Sequence, residues 1–307
     1  MREIMERLGF PREAVEFFLD MEKTLAPEEK VLFDSLRSQW MTEENDEAAN
    51  AAVRDALTAW AEKRGISPYS VHMFFLVRCA PALRQRYAQK GIPEERFWDI
   101  MRDLQIKLRE CHEVQKLWGT VSFEWFQREY TCSLIGLGRF QYERRVFDKE
   151  DVTICGHTLR KGDLLYGIHI PSGLPFTPED QLASFRMAYE YFGIPKGEVL
   201  PVLCWSWLVW PEGDQFFPEG SNLRHFWKSF TIIGKNDPTL YFPPEVVFPD
   251  AWRVFGTEDC ADLDALPADT TLRRNVLAYL KKGGRIGWGY GVLLFDGEKI
   301  LTGSLHS

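Results

Sequence analysis

The amino-acid sequence predicts an α+β protein, with an all-helical N-terminal domain at residues 1–118 and an α/β domain with a mixed central sheet at residues 119–307. The stretch 94–116 repeats apolar side chains at spacings of three and four, the period of a helix buried on one face. From about residue 136 the period falls to two, which is typical of half-buried strands. The apolar run at 199–209 indicates a central strand covered on both sides.

The N-terminal domain is predicted to be helical throughout, and its prolines mark where helices begin. Pro11 stands in the first turn of one helix, and a second helix begins after Pro27. The alanine-rich stretch 47–64 forms another helix and stops at a glycine. Pro68 opens the helix that follows, and we expect Pro81 to kink or break it.

The C-terminal domain alternates strands with helices. Thr177 is a good N-cap, with proline at the next position and acidic residues in the first turn. Ser221 caps a later helix. The predicted strands lie at 139–143, 152–154, 164–170, 199–209, 231–234 and 289–295, and the predicted helices begin at 177, 221 and 271.

Charge and cysteine content narrow the class of protein. The net charge is −8, and acidic side chains outnumber basic ones in both 1–135 and 136–307, which argues against nucleic acid as a partner. The six cysteines are widely spaced with no CxxC, so we expect free thiols in a reducing compartment and no bound metal.

The N-terminus lacks the apolar core of a signal peptide. The longest apolar run contains Pro201 and is too short to span a bilayer. We therefore expect a cytoplasmic protein without membrane attachment.

Three predicted strands carry polar side chains that suit proton transfer. Glu143 lies on the first strand, His169 on the third, and Cys204 and Ser206 on the fourth, at comparable depth in one sheet. They are either a catalytic set or separate structural partners that tie loops together. The hydrolase elbow GxSxG, the zinc motif HExxH, the P-loop and GxGxxG do not occur.

The segment 169–178, His-Ile-Pro-Ser-Gly-Leu-Pro-Phe-Thr-Pro, joins a strand to a helix N-terminus. At this place in an α/β sheet free backbone N–H groups converge and hold anions or ligands. The alternative is a rigid proline-containing connection that only turns the chain. The residues alone leave both interpretations open.

Four segments, in this order, resemble the successive motifs of a known bacterial family: Gly138–Glu143, His169–Gly173, Cys204–Leu208 and Ser221–Leu223. It is the acyltransferase-domain family that pairs a helical N-terminal domain, the N-acyltransferase N-terminal domain, with a GNAT-like C-terminal domain. The resemblance covers nearly the whole chain, and its motifs lie at about 136–235.

The resemblance implies a GNAT-type fold that transfers an acyl group from a thioester to an amine. In that fold two adjacent parallel strands part and the pantetheine arm of acyl-CoA lies between them, with the pyrophosphate at the N-terminus of the next helix. Here the strands would be 164–170 and 199–209. The residues expected to contact acyl-CoA, or another pantetheine thioester, are Ile170, Ser172, Gly173, Thr177 and Asn222.

One part of the sequence departs from the family pattern. The usual pyrophosphate loop, Gln/Arg-x-x-Gly-x-Gly/Ala, is absent from Pro171–Pro178. Glu179 and Asp180 stand where the diphosphate would lie, and each would repel a phosphate by about 1 kcal/mol. The pattern therefore supports the fold more strongly than it supports a bound nucleotide.

The leading hypothesis is a GNAT-like N-acyltransferase whose acceptor is a small-molecule or peptide amine. Glu143 or His169 would take the ammonium proton, and Ser206 or Cys204 would donate to the leaving sulfur. The alternative is a catalytically inert small-molecule-binding module on a GNAT-like fold. A third hypothesis, an aminoacyl transferase that uses charged tRNA, is disfavoured because the chain has no basic surface.

Overall fold

The computed structural model describes residues 1–243, 245–257 and 261–303. The predicted free thiol of Cys260 lies outside these residues. The chain forms two compact units. The first, the helical unit, holds Met1–Gly136 and Pro171–Gly173, and the second, the sheet unit, holds Leu137–Ile170 and the described residues from Leu174 onward.

The helical unit is built from amphipathic helices, as the apolar periodicity predicts. Asp46 caps one of them by accepting a hydrogen bond from the Ala49 N–H at 3.0 Å, and Gly65 ends the same helix in the left-handed conformation. A 3-10 turn at Phe123–Phe126 precedes the last helix. The helices are α1 (Arg2–Arg7), α2 (Arg12–Thr24), α3 (Pro27–Trp40), α4 (Glu47–Arg64), α5 (Pro68–Gln89), α6 (Glu94–Gln115) and α7 (Gln127–Tyr130).

Pro81 does not break its helix, although a break is one of the two effects that the sequence predicted for it. Helix α5 continues from Pro68 to Gln89 with Pro81 inside it. An internal proline costs a helix about 3 kcal/mol because a backbone hydrogen bond is lost. The residues Val71–Val77 that precede it are all buried. The burial of these two turns of mostly apolar side chains offsets the cost of the proline.

The compact units divide after Gly136, whereas the sequence placed the boundary at 118. Phe123 stacks on Trp40 of α3, with ring centroids 5.4 Å apart. The Tyr130 hydroxyl donates to the Leu76 carbonyl of α5 at 2.6 Å. The segment after residue 118 is therefore part of the helical core, because its aromatic side chains are buried there.

The stability of the helical unit is expected to fall in mild acid because of His72. This ring is 6% exposed, lies 4.9 Å from the Phe123 ring and contacts the Thr58 hydroxyl through Nε2 at 3.2 Å. Burial lowers the pKa of His72 to about 4 from its ordinary 6.5. Between pH 4 and pH 6.5 the His72 ring is therefore protonated in the unfolded chain and neutral in the folded chain. Stability is lost as the pH falls from about 6.5 to about 4, by up to about 3 kcal/mol.

Chemical denaturation of the wild type and His72→Gln between pH 4 and pH 7.5 measures this effect. The difference in unfolding free energy between them should be constant above pH 7. It should move in favour of the variant as the pH falls from 6.5 to 4, since the amide does not titrate. If the unfolding free energies of the two proteins change in parallel with pH across that range, His72 is not the source of the acid sensitivity.

Within the described residues, six strands of the second part of the chain form one mixed sheet in the order β1-β2-β5-β6-β8-β7. Strands β5 and β6 run parallel, whereas β2–β5, β6–β8 and β7–β8 are antiparallel. A separate hairpin consists of β3 and β4. The strands are β1 (Leu134–Leu137), β2 (Phe140–Val146), β3 (Val152–Ile154), β4 (His157–Leu159), β5 (Leu164–His169), β6 (Leu200–Ser206), β7 (Thr231–Lys235) and β8 (Gly289–Phe295).

Two helices of the sheet unit begin where the capping residues predicted, and two short helices, Pro238–Tyr241 and Ala251–Phe255, lie in a stretch with no predicted helix. Thr177 and Ser221 each accept a hydrogen bond from a backbone N–H in the first turn of the helix that follows. The helices are α8 (Pro178–Tyr191), α9 (Asn222–Lys228), α10 (Pro238–Tyr241), α11 (Ala251–Phe255) and α12 (Thr271–Lys281). In the part of the chain that the structure describes, no helix is both long and apolar enough to cross a membrane.

The two faces of the sheet have different coverings. On one face Tyr166 of β5 packs against Phe192, with ring centroids 4.1 Å apart, at the end of α8. On the other face the β3–β4 hairpin adds Ile154 and Leu159 to an apolar cluster with Leu165. The hairpin covers only the end of this face where β5 begins. We call the remainder, toward the end of β5, the open face.

The run 199–209 contains a central strand that packs on both faces as far as Leu203, but its far end is not covered on both sides as the sequence suggested. Strand β6 ends at Ser206 and continues as a 3-10 turn, Trp207–Val209. Trp205 is 48% exposed and lies on the open face. A run of apolar residues indicates a strand, whereas its covering depends on which elements fold back over it.

Candidate functional site

A carboxylate, an imidazole and a guanidinium meet on the open face. Glu143 Oε1 lies 2.7 Å from His169 Nε2 and accepts from Arg145 Nε at 2.8 Å. The strand register explains the meeting, because Gln141 pairs with His169 and Glu143 with Gly167 across β2 and β5. Glu143 and His169 are thus diagonal neighbours on one face, within reach of their long side chains.

The hydrogen bond determines the tautomer of His169. A carboxylate that also pairs with the Arg145 guanidinium can only accept, so Nε2 of His169 carries the proton. The basic nitrogen of the neutral ring is then Nδ1. The His169 side chain is 23% exposed and Glu143 only 10%. The carboxylate is therefore shielded, whereas the imidazole lies closer to solvent.

Gly167 gives these side chains the space that they occupy. A Cβ atom at this position would lie 3.1 Å from Arg145 Cγ and 3.4 Å from Glu143 Cγ. Any larger residue would push against both stems. The glycine in the middle of a buried strand is therefore part of the arrangement of the charged pair.

Cys204 and Ser206 lie on the face opposite to His169. Cys204 pairs with Ile168, which precedes His169, so its side chain shares the other face. It is fully buried, and burial raises the pKa of its thiol. Ser206 Oγ accepts from the Leu208 N–H at 3.2 Å and caps the 3-10 turn. The structure thus brings together Glu143 and His169 but not the two predicted donors to sulfur.

Strands β5 and β6 part at the end of β5. Their last paired residues are Ile168 and Cys204. Strand β6 continues to Ser206, where it still pairs with Gly289 of β8 on its other edge. Ile170 directly follows β5. An extended ligand can therefore add to the edge of β6 that β5 leaves, as strands are added at a sheet edge.

The loop after β5 is held by contacts inside the helical unit. The Ser172 hydroxyl donates to Glu110 Oε1 at 2.5 Å, and Glu110 Oε2 accepts from Lys107 Nζ at 2.8 Å. Gly173 has φ of 70°, and the Arg109 guanidinium lies 2.0 Å from where a Cβ would stand. These are the contacts of a structural connection, the second of the two interpretations that the sequence left open.

The N-terminus of α8 is already capped by its own side chains. The Thr177 hydroxyl accepts from the Asp180 N–H at 3.1 Å, and Asp180 Oδ2 accepts from the Thr177 N–H at 3.2 Å. Glu179 adds a second carboxylate in the first turn. Asn222, the other predicted donor contact, is an exposed residue at the start of α9. The capped, acidic terminus of α8 does not fit a diphosphate.

Sequence reasoning gave Arg145 and Gly167 no role in the site, although it named Trp205 among the aromatic residues that could line an acceptor pocket. Arg145 was detectable, because it shares the alternating face of Glu143 two residues away. Gly167 was not detectable as a site residue, because a glycine within a strand can serve a bulge, a bend or a close approach of another group. Across the described residues no group of three or more His, Cys, Asp and Glu side chains is placed to hold a metal ion.

Two family models match this chain. The GNAT-like C-terminal domain matches residues 134–293, and the N-acyltransferase N-terminal domain matches residues 1–132. No curated protein sequence matches significantly.

The fold is similar to that of solved acyltransferases. An acyltransferase in complex with decanoyl-CoA and teicoplanin superposes with a TM-score of 0.68 at 20% identity, covering 95% of this chain and 86% of that one. A mutant acyltransferase in complex with octanoyl-CoA has the same TM-score, identity and coverage. An acyltransferase with CoA and 10C-teicoplanin has a TM-score of 0.59 at 18% identity, covering 94% of this chain and 98% of that one.

Proposed function

This chain belongs to the family of the GNAT-like C-terminal domain, and from that premise we propose that it is an N-acyltransferase that moves an acyl group from a thioester to an amine. The observation that carries the proposal is the His169–Glu143 pair, which lies beside the point where β5 and β6 part. A base and a place for an extended thioester therefore occur together. The acceptor is a small-molecule or peptide amine. The free cysteines support the cytoplasm as the location.

The chemistry requires a base because an amine is protonated at neutral pH and attacks only with its lone pair. Nδ1 of His169 accepts the proton that the nitrogen loses. The C–N bond forms at the thioester carbonyl and the C–S bond breaks. The sulfur leaves as a thiol with the proton that His169 took from the nitrogen, and the other ammonium proton passes to solvent. Glu143 holds the ring and stabilises the imidazolium that results, and Arg145 pairs with the same carboxylate oxygen.

The acyl donor supplies the acyl group as an activated thioester. The backbone at Ile170 and the edge of β6 at Trp205 and Ser206 would hold its pantetheine arm, since pairing between the two strands has ended there. Its diphosphate would meet Glu179 and Asp180 at the capped start of α8. The nucleotide therefore contributes little to binding. The similar acyltransferases were solved with acyl-CoA, which supports a pantetheine thioester as donor.

A melting series and a transfer assay test the proposal together. We expect acetyl-CoA, longer acyl-CoAs and acyl-pantetheine to raise the melting temperature, because a ligand at about 100 times its Kd adds about 2.7 kcal/mol to the folded state. Thiol release should then depend on an added amine. A shift without thiol release for any amine would favour the inert binding module, and no shift with any thioester would overturn the assignment of the donor. A larger shift with acyl-pantetheine than with acyl-CoA would indicate a carrier-bound donor.

A further inference from the structure

On the same face as His169 lies a group of three aromatic rings, one exposed and two half-buried, whose side chains have no role in the acyl-transfer proposal. We call Trp205, Tyr290 and Trp288 the aromatic platform. We propose that the platform binds an aromatic ring of the acceptor, so that the acceptor is an amine carried a short distance from such a ring. This inference rests on the proposed function, because it concerns the second substrate of the same site.

The platform consists of two nearly parallel rings and a third ring perpendicular to them. We call Trp205 and Tyr290 the floor and Trp288 the wall. The rings of Trp205 and Tyr290 stack with centroids 5.5 Å apart and an angle of 14° between their planes. Trp288 stands at 83° to Trp205, with centroids 5.5 Å apart. Aromatic pairs prefer offset stacking and edge-to-face contact at centroid distances of about 4.5–7 Å. A ring placed in this corner would make both contacts at once.

The wall is held in place before any ligand arrives. Trp288 Nε1 donates to Asp250 Oδ2 at 3.0 Å, and its ring meets Phe242 edge-on at 5.1 Å. Trp205 itself is 48% exposed, although it lies on a central strand. An anchored aromatic corner loses little conformational freedom when it binds, and this makes it an effective binding surface.

The platform and the base belong to one row across four strands. Gln141 is paired with His169 across β2 and β5, and Trp205 with Tyr290 across β6 and β8. The last pair between β5 and β6 is 168 with 204, so the residues that follow, His169 and Trp205, are neighbours on the open face. Both side chains therefore project from the open face on neighbouring strands, just beyond the point where the strands part. An amine carried a few bonds from a ring on the floor can reach toward His169.

The contacts of the platform favour an aromatic ring over a sugar. A saccharide needs hydrogen-bond partners for its hydroxyl groups as well as a flat surface. Among the described residues, Phe242 packs edge-on against Trp288, Lys149 Nζ lies 4.3 Å from the centre of the Tyr290 ring, and the nearby Asp250 carboxylate already accepts from Trp288 Nε1. A flexible alkyl chain would fill the corner but would make neither the stacked nor the edge-on contact.

Direct binding tests the platform without relying on turnover. The probes are 2-phenylethylamine, 2-cyclohexylethylamine and glucosamine, titrated into the full chain and followed by chemical shifts of the tryptophan indole N–H groups. We expect phenylethylamine to bind about tenfold more tightly than cyclohexylethylamine, the gain that about 1.4 kcal/mol of ring contact gives. Trp205→Ala should abolish the preference, and Trp205→Phe should retain most of it. Tyr191→Ala, which removes an exposed aromatic on α8, is the matched control and should change nothing.

The outcomes separate this inference from the proposed function. Equal binding of the two ring amines, or a preference that survives Trp205→Ala, would overturn the platform even if acyl transfer is observed. Tighter binding of glucosamine would overturn it in favour of a carbohydrate. A preference for phenylethylamine that depends on Trp205 would support the platform even if no thioester is consumed. With turnover present, Trp205→Ala should raise KM for phenylethylamine about tenfold and raise KM for the thioester much less, because only the backbone of residue 205 is proposed to contact the thioester.

Discussion

Replacing His169 with glutamine is expected to lower kcat for amine acylation by about 10²–10⁴-fold, the usual contribution of a positioned base. Glutamine keeps a polar group that can hydrogen-bond to Glu143 but cannot take a proton from the amine. The side chain lies at the end of β5 and is partly exposed, so the fold should tolerate the change. Thiol release at saturating amine and thioester measures kcat. The melting temperature and the shift produced by the thioester should stay close to the wild-type values.

Two control variants make the result specific to the base. Glu143→Gln keeps the size of the side chain and removes its charge, so kcat should fall less than with His169→Gln while the ring loses its fixed tautomer. Ser206→Ala should leave kcat nearly unchanged, because that hydroxyl caps a turn on the opposite face. Full activity of His169→Gln, or a large loss with Ser206→Ala, would contradict the assignment of the base.

The Trp40→Ala variant is expected to destabilise the helical unit by about 3–5 kcal/mol, the range for removing a large buried aromatic side chain. Trp40 is fully buried, stacks on Phe123 and packs against Tyr130 at a centroid distance of 4.9 Å. Its indole N–H also donates to Asn50 Oδ1 at 2.8 Å, and the variant would leave that buried amide oxygen unpaired. Denaturant unfolding followed by far-ultraviolet circular dichroism measures the loss.

Leu32→Ala on the same helix is the matched control. Its side chain is 40% exposed, so the cost should stay within about 0.5 kcal/mol. Trp40→Phe should fall between the two, since it keeps most of the packing and loses the hydrogen bond to Asn50. A loss below about 1 kcal/mol for Trp40→Ala would contradict the view that the segment after residue 118 is part of the helical core.

Local patterns determined most of the fold. The period of 3.6 residues predicted the long helices, and the change to a period of two near residue 136 predicted the sheet, because both periods reflect which side chains one face buries. The caps Thr177 and Ser221 placed two helix starts correctly, since capping is a contact within three residues. Pro81 shows the limit of such rules, because packing from outside the helix outweighed its local cost.

Alternation within a strand also placed Glu143 and His169 as a pair worth testing, and the structure joins them by a hydrogen bond. It could not show that Cys204 and Ser206 lie on the other face, because alternation gives the sides of one strand but not its register with the next. That register is a contact between residues far apart in the chain, such as Ile168 with Cys204.

The sequence by itself therefore determined the helical and mixed-sheet parts and the family resemblance. Only the tertiary structure decided that the first unit extends to Gly136, that Glu143 and His169 share one face of the sheet, that Glu110 accepts a hydrogen bond from the Ser172 hydroxyl, and that the rings of Trp205 and Tyr290 stack. The physical reason is distance along the chain. Local patterns report which side of an element is buried, whereas partners are chosen by packing between segments that the sequence separates by tens of residues.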